Sequence, residues 1–122
     1  MSLQERRERE KKERRKQILD AARTMLFEKG LNATSINQIA KQAELGVGTI
    51  YFYYKSKEEL FAELQAEGLE LLHSKIRKSC EKEPEYAGKL RNAAQVFFRF
   101  TKENKDYFDI INYFLSAPEQ IF

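Results

Sequence analysis

Two capping signals, and the short stretch between them, constrain this chain most. Ser35-Ile-Asn-Gln38 and Ser56-Lys-Glu-Glu59 each place a serine three residues ahead of a Gln or Glu. In that pattern the serine oxygen accepts the later backbone amide, and the later side chain reaches back. The first box opens a short helix over 36–43, with Ile36, Ile39, Ala40 and Ala43 on one side. Glu44-Leu45-Gly46 then breaks the chain, and Val-Gly-Thr-Ile-Tyr-Phe-Tyr-Tyr follows over 47–54. Its residues are β-formers. No second strand stands near to pair with it, however, and a lone strand is not stable. Read as a helix, it sends Val47, Ile50 and Tyr54 toward a core and Thr49, Phe52 and Tyr53 to the other side. Two short helices across a three-residue turn make a helix-turn-helix.

The flanking sequence is helical as well. Five Gly and two Pro in 122 residues are too few turn-formers for a sandwich or barrel. Ile18, Ala22, Met25 and Leu26, widened by Ala21 and Phe27, predict a helix over 12–29 that stops at Gly30. The second box opens a long helix over about 57–80, whose stripe is Leu60, Phe61, Leu64, Leu71, Leu72 and Ile76. Gly68 in its middle costs about 1 kcal/mol against Ala unless a close contact or a bend uses it. After Glu83-Pro84-Glu85, a helix over 86–103 carries Leu90, Ala94, Phe97 and Thr101 in register, and a sixth runs from Lys105 to before Pro118. The expected fold class is all-α.

Several chemistries are excluded. Cys80 is the only cysteine and His73 the only histidine, so neither a disulfide framework nor a multi-histidine metal site can form. No nucleophile–base pair stands out, and no catalytic, cofactor or metal residue is assigned. Gly46-x-Gly48 lacks the third glycine and the preceding strand of a dinucleotide fingerprint. With no secretory or membrane-spanning stretch, the expected location is the cytoplasm, away from any membrane.

The net charge of +3 is unevenly spread: +4 on residues 1–16, +2 on 17–57 and −3 on 58–122. A basic first half suggests a polyanionic partner for that half. For residues 5–16, all Glu, Lys or Arg, a solvated helix with pairs such as Glu8–Lys12 explains the pattern as well.

Ile18-Leu-Asp-Ala-Ala22, Leu26-Phe-Glu-Lys-Gly30, Ile39-Ala40, Gly48-Thr-Ile-Tyr51 and Tyr53-Tyr-Lys-Ser-Lys-Glu-Glu-Leu60 stand in one order and spacing. Over about residues 12–72 the chain thereby resembles the TetR family of bacterial transcriptional regulators. The resemblance implies a three-helix DNA-binding domain over 12–72, with the helix-turn-helix at about 35–54, residues 47–54 as recognition helix and 1–11 as a basic arm. It implies that 73–122 begin an effector-binding and dimerisation domain, which looks truncated at Phe122. The implied partners are double-stranded DNA, a second copy of the chain and a small-molecule effector. The implied activity is that of a ligand-responsive repressor on a palindromic operator. Two positions depart from the family pattern: Glu44 where Gly is usual, and Gly46 where a Ser cap is common. A Glu there must avoid positive φ or tolerate strain.

Affinity for DNA comes from phosphate contacts and sequence preference from base edges. The family's phosphate positions fall on Ser35, Tyr53 and Lys57, the last in a first helical turn whose amides already attract anions. Base contacts would come from Val47, Gly48, Thr49, Tyr51 and Phe52, with Asn37 reaching from the preceding helix. Tyr51 serves equally well as core, and Tyr54 is read as core. The recognition helix has no Arg or Gln, so thymine methyl and ring contacts replace bidentate readout. Nine of the fifteen aromatic residues fall from Tyr86 onward, ending at Phe122, as core or as an effector pocket. The stretch 107–115 is apolar on nearly every side and is expected to need cover all round. The alternative function is a helical protein–protein interaction module that does not bind DNA.

Overall fold

The structure, a computed structural model, describes residues 1–116. Six helices follow one another: α1 (Leu3–Lys29), α2 (Ile36–Ala43), α3 (Val47–Tyr53), α4 (Lys57–Cys80), α5 (Tyr86–Glu103) and α6 (Lys105–Ser116). A single 3-10 turn, Leu31–Ala33, links α1 to α2, and no strand occurs among the described residues. The all-α expectation holds, and α3 is helical against its β-rich composition. The chain divides spatially into two compact units, Met1–Glu63 and Leu64–Phe122.

In the first unit α1 packs on α2 and α2 on α3. Ile18, Ala22 and Leu26 of α1, Ile39 of α2, Ile50 of α3, and Tyr54, Leu60 and Phe61 are fully buried or nearly so. Removing a Leu- or Ile-sized side chain from water contributes roughly 1.5–3 kcal/mol, so this cluster holds two short helices, α2 and α3, that could not fold singly. Gly30 ends α1 at φ 82° and donates its N–H to the Leu26 carbonyl at 2.9 Å. Thr34, the one buried polar residue of the described core, donates its hydroxyl to the Gly30 carbonyl at 2.7 Å.

Three positions in this unit differ from the sequence reading. α1 starts at Leu3 rather than near residue 12, because Ser2 caps it by accepting the Glu5 amide at 3.1 Å. Phe27 lies off the buried stripe and is 47% exposed. Val47 is exposed at the start of α3 instead of pointing into the core, whereas Ile50 and Tyr54 are buried as read.

In the second unit α5 packs on α6. Asn92 donates its side-chain amide to the Ser79 carbonyl at 2.9 Å, and the Tyr107 hydroxyl donates to Glu67 at 3.0 Å. Leu90, Ala94 and Phe97, in register by sequence, are exposed; the buried residues of α5 are Gly88 and Phe100. In α6, Ile110 and Ile111 are buried, Tyr107, Phe108, Tyr113 and Phe114 half-buried and Leu115 exposed, so the all-round cover expected for 107–115 is absent here. His73 is exposed, and the Cys80 thiol donates to the Lys89 carbonyl at 3.5 Å. Pro118, read as the stop after α6, and Phe122 lie outside the described residues.

Gly68 has the close contact its place in a helix requires. A Cβ there would stand 3.0 Å from both Cβ and Cδ1 of Tyr107. Helix propensity alone predicts that Gly68→Ala gains about 1 kcal/mol. We expect the reverse, a loss of about 1 kcal/mol from overpacking against α6. Urea denaturation measures the sign, and a gain in midpoint would show that Tyr107 yields.

Candidate nucleic-acid interface

The turn between α2 and α3 is built from the end of α2. Ser35 opens α2 by accepting the Gln38 amide at 3.2 Å. At the other end the Leu45 amide bonds the Ala40 carbonyl at 2.9 Å, and the Glu44 amide bonds the Lys41 carbonyl at 3.2 Å. These two bonds define a Schellman stop, whose residue in the left-handed region is usually Gly. Here it is Glu44, at φ 59° and ψ 41°. The tolerated-strain alternative is therefore the one adopted. Gln17 of α1 stabilises the same end by donating its side-chain amide to the Ala43 carbonyl at 2.7 Å. Gly46 precedes α3 in extended conformation; its carbonyl accepts the Thr49 and Ile50 amides, with no side-chain cap.

One side of α3 is anchored. The Arg15 guanidinium donates to the Tyr53 carbonyl at 3.0 Å and to Glu63 Oε1 at 2.5 Å, and stacks 4.4 Å from the centroid of the Tyr54 ring. Tyr54 in turn donates its hydroxyl to Glu63 Oε2 at 2.8 Å. A single carboxylate thus joins α1, the end of α3 and α4. Burial pushes the Tyr54 phenol well above its ordinary range, and the hydrogen bond and charge of Glu63 add to the rise. Neither Arg15 nor Glu63 was singled out in the sequence. The available signal was a charged side chain inside each apolar stripe: Arg15 three residues before Ile18, and Glu63 between Leu60 and Leu64.

The other side of α3 faces solvent. Phe52 is 73% exposed, Tyr51 47% and Val47 36%. Gly48 is exposed, and a Cβ on it would meet nothing within 4 Å. No packing inside the chain therefore demands a glycine there. Thr49 and Tyr53 are half-buried, and the Phe52 and Tyr53 rings meet edge to face at 5.0 Å. Asn37 is exposed on α2, while Ser35 is half-buried with its oxygen engaged in the cap. At the start of α4 the Ser56 oxygen accepts the Glu59 amide at 3.1 Å. Glu59 reaches back to the Lys55 amide at 3.1 Å, one residue beyond the expected box partner, the Ser56 amide. The Lys57 ammonium lies 5.4 Å from the centroid of the buried Phe61 ring, which holds its stem against the domain. Among the described residues no three His, Cys, Asp or Glu side chains form a metal cluster. No described helix is long and apolar enough to cross a membrane.

The elements define a helix-turn-helix protein. Residues 18–64 match the family of bacterial regulatory proteins, tetR family. The HTH-type transcriptional regulator YhgD of Bacillus subtilis is 32% identical over 93 residues, covering 76% of this chain and 49% of that one. The HTH-type transcriptional activator FasR of Mycolicibacterium smegmatis is 27% identical over 109 residues, covering 88% and 50%. A crystal structure of a TetR family transcription regulator from Marinobacter aquaeolei, 26% identical, superposes with a TM-score of 0.61 over 89% of this chain and 56% of that chain. This chain belongs to the TetR family. It spans about half the length of the curated relatives it matches.

Replacing Glu44 by Gly removes a left-handed L-residue at a position that suits Gly. The relief, about 1–2 kcal/mol, exceeds the added chain entropy of Gly, about 0.5–1 kcal/mol. Glu44→Gly is expected to raise the urea midpoint, and an unchanged or lower midpoint would show that the turn stores no strain.

The Tyr54 phenol stays neutral in the fold beyond the pH at which an unfolded tyrosine ionises, near 10. Its contribution is complete below that pH. It is lost as pH rises above it, with a limiting slope of about 1.4 kcal/mol per pH unit. Tyr54→Phe is expected to lose about 1.5–3 kcal/mol at neutral pH, for a hydrogen bond to a charged acceptor. Its stability should then fall less steeply than wild type above pH 10. Parallel denaturation curves at both pH values check this, and identical slopes would show a phenol that ionises in the fold.

Proposed function

We propose that this chain binds double-stranded DNA sequence-specifically as part of a transcriptional regulator. In this reading residues 12–72 are the DNA-binding domain, 1–11 a basic arm, and 73–122 belong to an effector-binding and dimerisation domain. The observation that carries the reading is α3 itself. One side is fixed through Ile50, Tyr54 and the Arg15–Glu63 pair, while Phe52, Tyr51 and Val47 stand exposed on the other. A large apolar ring held rigidly in water is unfavourable unless a partner covers it. The floor of a major groove, with thymine methyl groups, is such a partner. Ser35, Tyr53 and Lys57 donate to phosphates beside it; Val47, Gly48, Thr49, Tyr51, Phe52 and Asn37 face base edges. The open space at Gly48 lets a base or sugar approach the backbone of α3 closely.

The protein would act as a homodimer on a palindromic operator, as a repressor released by a small-molecule effector. Family membership supports this reading, although one relative is by name an activator. A reporter driven from the selected operator, with and without the chain, decides the sign of regulation.

The test of DNA binding is a site selection followed by titrations at several salt concentrations. Binding is expected to weaken steeply with salt, because Lys and Arg displace condensed counterions. Lys57→Ala should weaken all duplexes alike. Phe52→Ala and Thr49→Ala should change the preferred site, each by about 1–3 kcal/mol at the affected base pair. Recovery of the same site at the same affinity by the Phe52 variant would sink the assignment of α3. A chain that selects no duplex would support an interaction module instead.

A further inference from the structure

The first turns of α1 are not needed by the core, yet they are helical and held in register. Ser2 caps them, and the helix runs unbroken from Leu3 into the buried stripe at Ile18. At about 100° per residue, Arg7 and Lys11 fall within about 40° of each other, on the line that leads into Arg15 and Ile18. Arg6 and Arg9 lie about 140–160° away from Lys11 by the same count, on the far side. The geometry agrees: a groove of about 440 Å3 is bounded by Gln4, Arg7, Glu8, Glu10, Lys11 and Tyr53. Arg7 and Lys11 thus share a groove with the last residue of α3, the end at which a phosphate contact is assigned.

Arg9 pairs with Glu13 at 3.8 Å, Lys16 with Asp20 at 3.0 Å, and Arg15 is taken by Glu63. Among the described residues neither Arg7 nor Lys11 makes an ion pair. Ion pairs do not separate the two sides, since Arg6 on the far side also makes none among the described residues; what sets Arg7 and Lys11 apart is the groove they share with Tyr53. The Glu8 and Glu10 carboxylates also line the groove, so it is not uniformly basic.

We propose that the N-terminal turns of α1 form a second phosphate-binding surface, in which Arg7 and Lys11 continue the Tyr53 contact along the DNA backbone beyond the recognition helix. This rests on the DNA-binding reading above. Leu3 to Arg14 spans about 18 Å at 1.5 Å per residue, and Arg7 and Lys11 stand about 6 Å apart along the axis. At 3.4 Å per base pair along a strand, that 6 Å corresponds to about two successive phosphates. It carries phosphate contacts only and adds no base preference.

The experiment compares two double variants of the full chain with equal charge loss, Arg7→Gln with Lys11→Gln and Arg6→Gln with Arg9→Gln, on the selected duplex from 50 to 200 mM salt. Circular dichroism first checks that both keep the helix content of wild type. Each phosphate contact contributes about 0.9 to the salt slope. The Arg7/Lys11 variant should therefore have a slope shallower by about 1.8 per bound subunit, so its affinity falls about tenfold less across that range. Its preferred sequence should not change, and the Arg6/Arg9 variant should keep the wild-type slope. Equal changes in both variants would reduce the effect to net charge and overturn the proposal. No change in either, with wild type binding normally, would also overturn it. A wild type that binds no duplex removes the DNA-binding reading itself, which separates the two failures.

Discussion

The shared carboxylate of Glu63 fixes the part of the molecule that has least stability of its own. An isolated helix in water is marginal below about 12–15 residues, and α3 has seven. Only Ile50 within it is fully buried, and Tyr54 follows it directly. Two apolar anchors set how deep α3 sits but leave it free to rock about its axis. The Arg15 bond to the Tyr53 carbonyl removes that freedom at the C-terminal end, and Glu63 holds both Arg15 and Tyr54. The side chains of the ion pair are 40% and 38% exposed, so solvent screens it and its net energy is modest. Its contribution is geometric: α1, α3 and α4 are tied at one point, and side chains aimed at a partner are useful only if their helix is held in place.

The other end of α3 is set by the turn, and there the constraint is backbone strain. A stop that closes with two hydrogen bonds turns the chain sharply enough for α3 to follow α2 after three residues. It does so through a left-handed Glu44, which tolerates that conformation less well than Gly. Gln17 offsets part of the strain by covering the Ala43 carbonyl. α1 thus supports α3 from the two flanks of Ile18, through Gln17 at the turn before it and Arg15 at its C-terminal end.

Helix positions were legible wherever a cap or an apolar period marks them. The Ser35 and Ser56 boxes placed the starts of α2 and α4, and Gly30 the end of α1. The start of α1 escaped because residues 5–16 have no apolar residue to show a period, although Ser2-Leu-Gln-Glu5 has the form of a capping box. Periodicity located the helices better than it located their buried sides. Leu90 and Phe97 share a line on α5, yet the residue that becomes buried is Phe100. A regular apolar spacing says that a stripe exists; which neighbour covers it is a tertiary fact. The Arg15–Glu63 link was illegible for a related reason. The partners are far apart in sequence, and a charge beside an apolar stripe does not say which opposite charge it meets.

The composition of the exposed side of α3 bears on how a DNA complex would divide affinity from selectivity. Arg and Lys on a recognition helix supply both at once, since one side chain brings charge and a bidentate match to guanine. Here the two functions are separated in the chain. α3 contains no charged residue at all, and the cations lie beside it, on α1 and at the start of α4. In the proposed complex, attraction to the phosphates would come from groups that read no sequence, and discrimination from methyl and ring contacts that carry no charge. Salt would then act on affinity while leaving the order of preferred sites nearly unchanged. Exposed apolar area on α3 would be tolerated because it stays small: two short turns, flanked on both sides by charge.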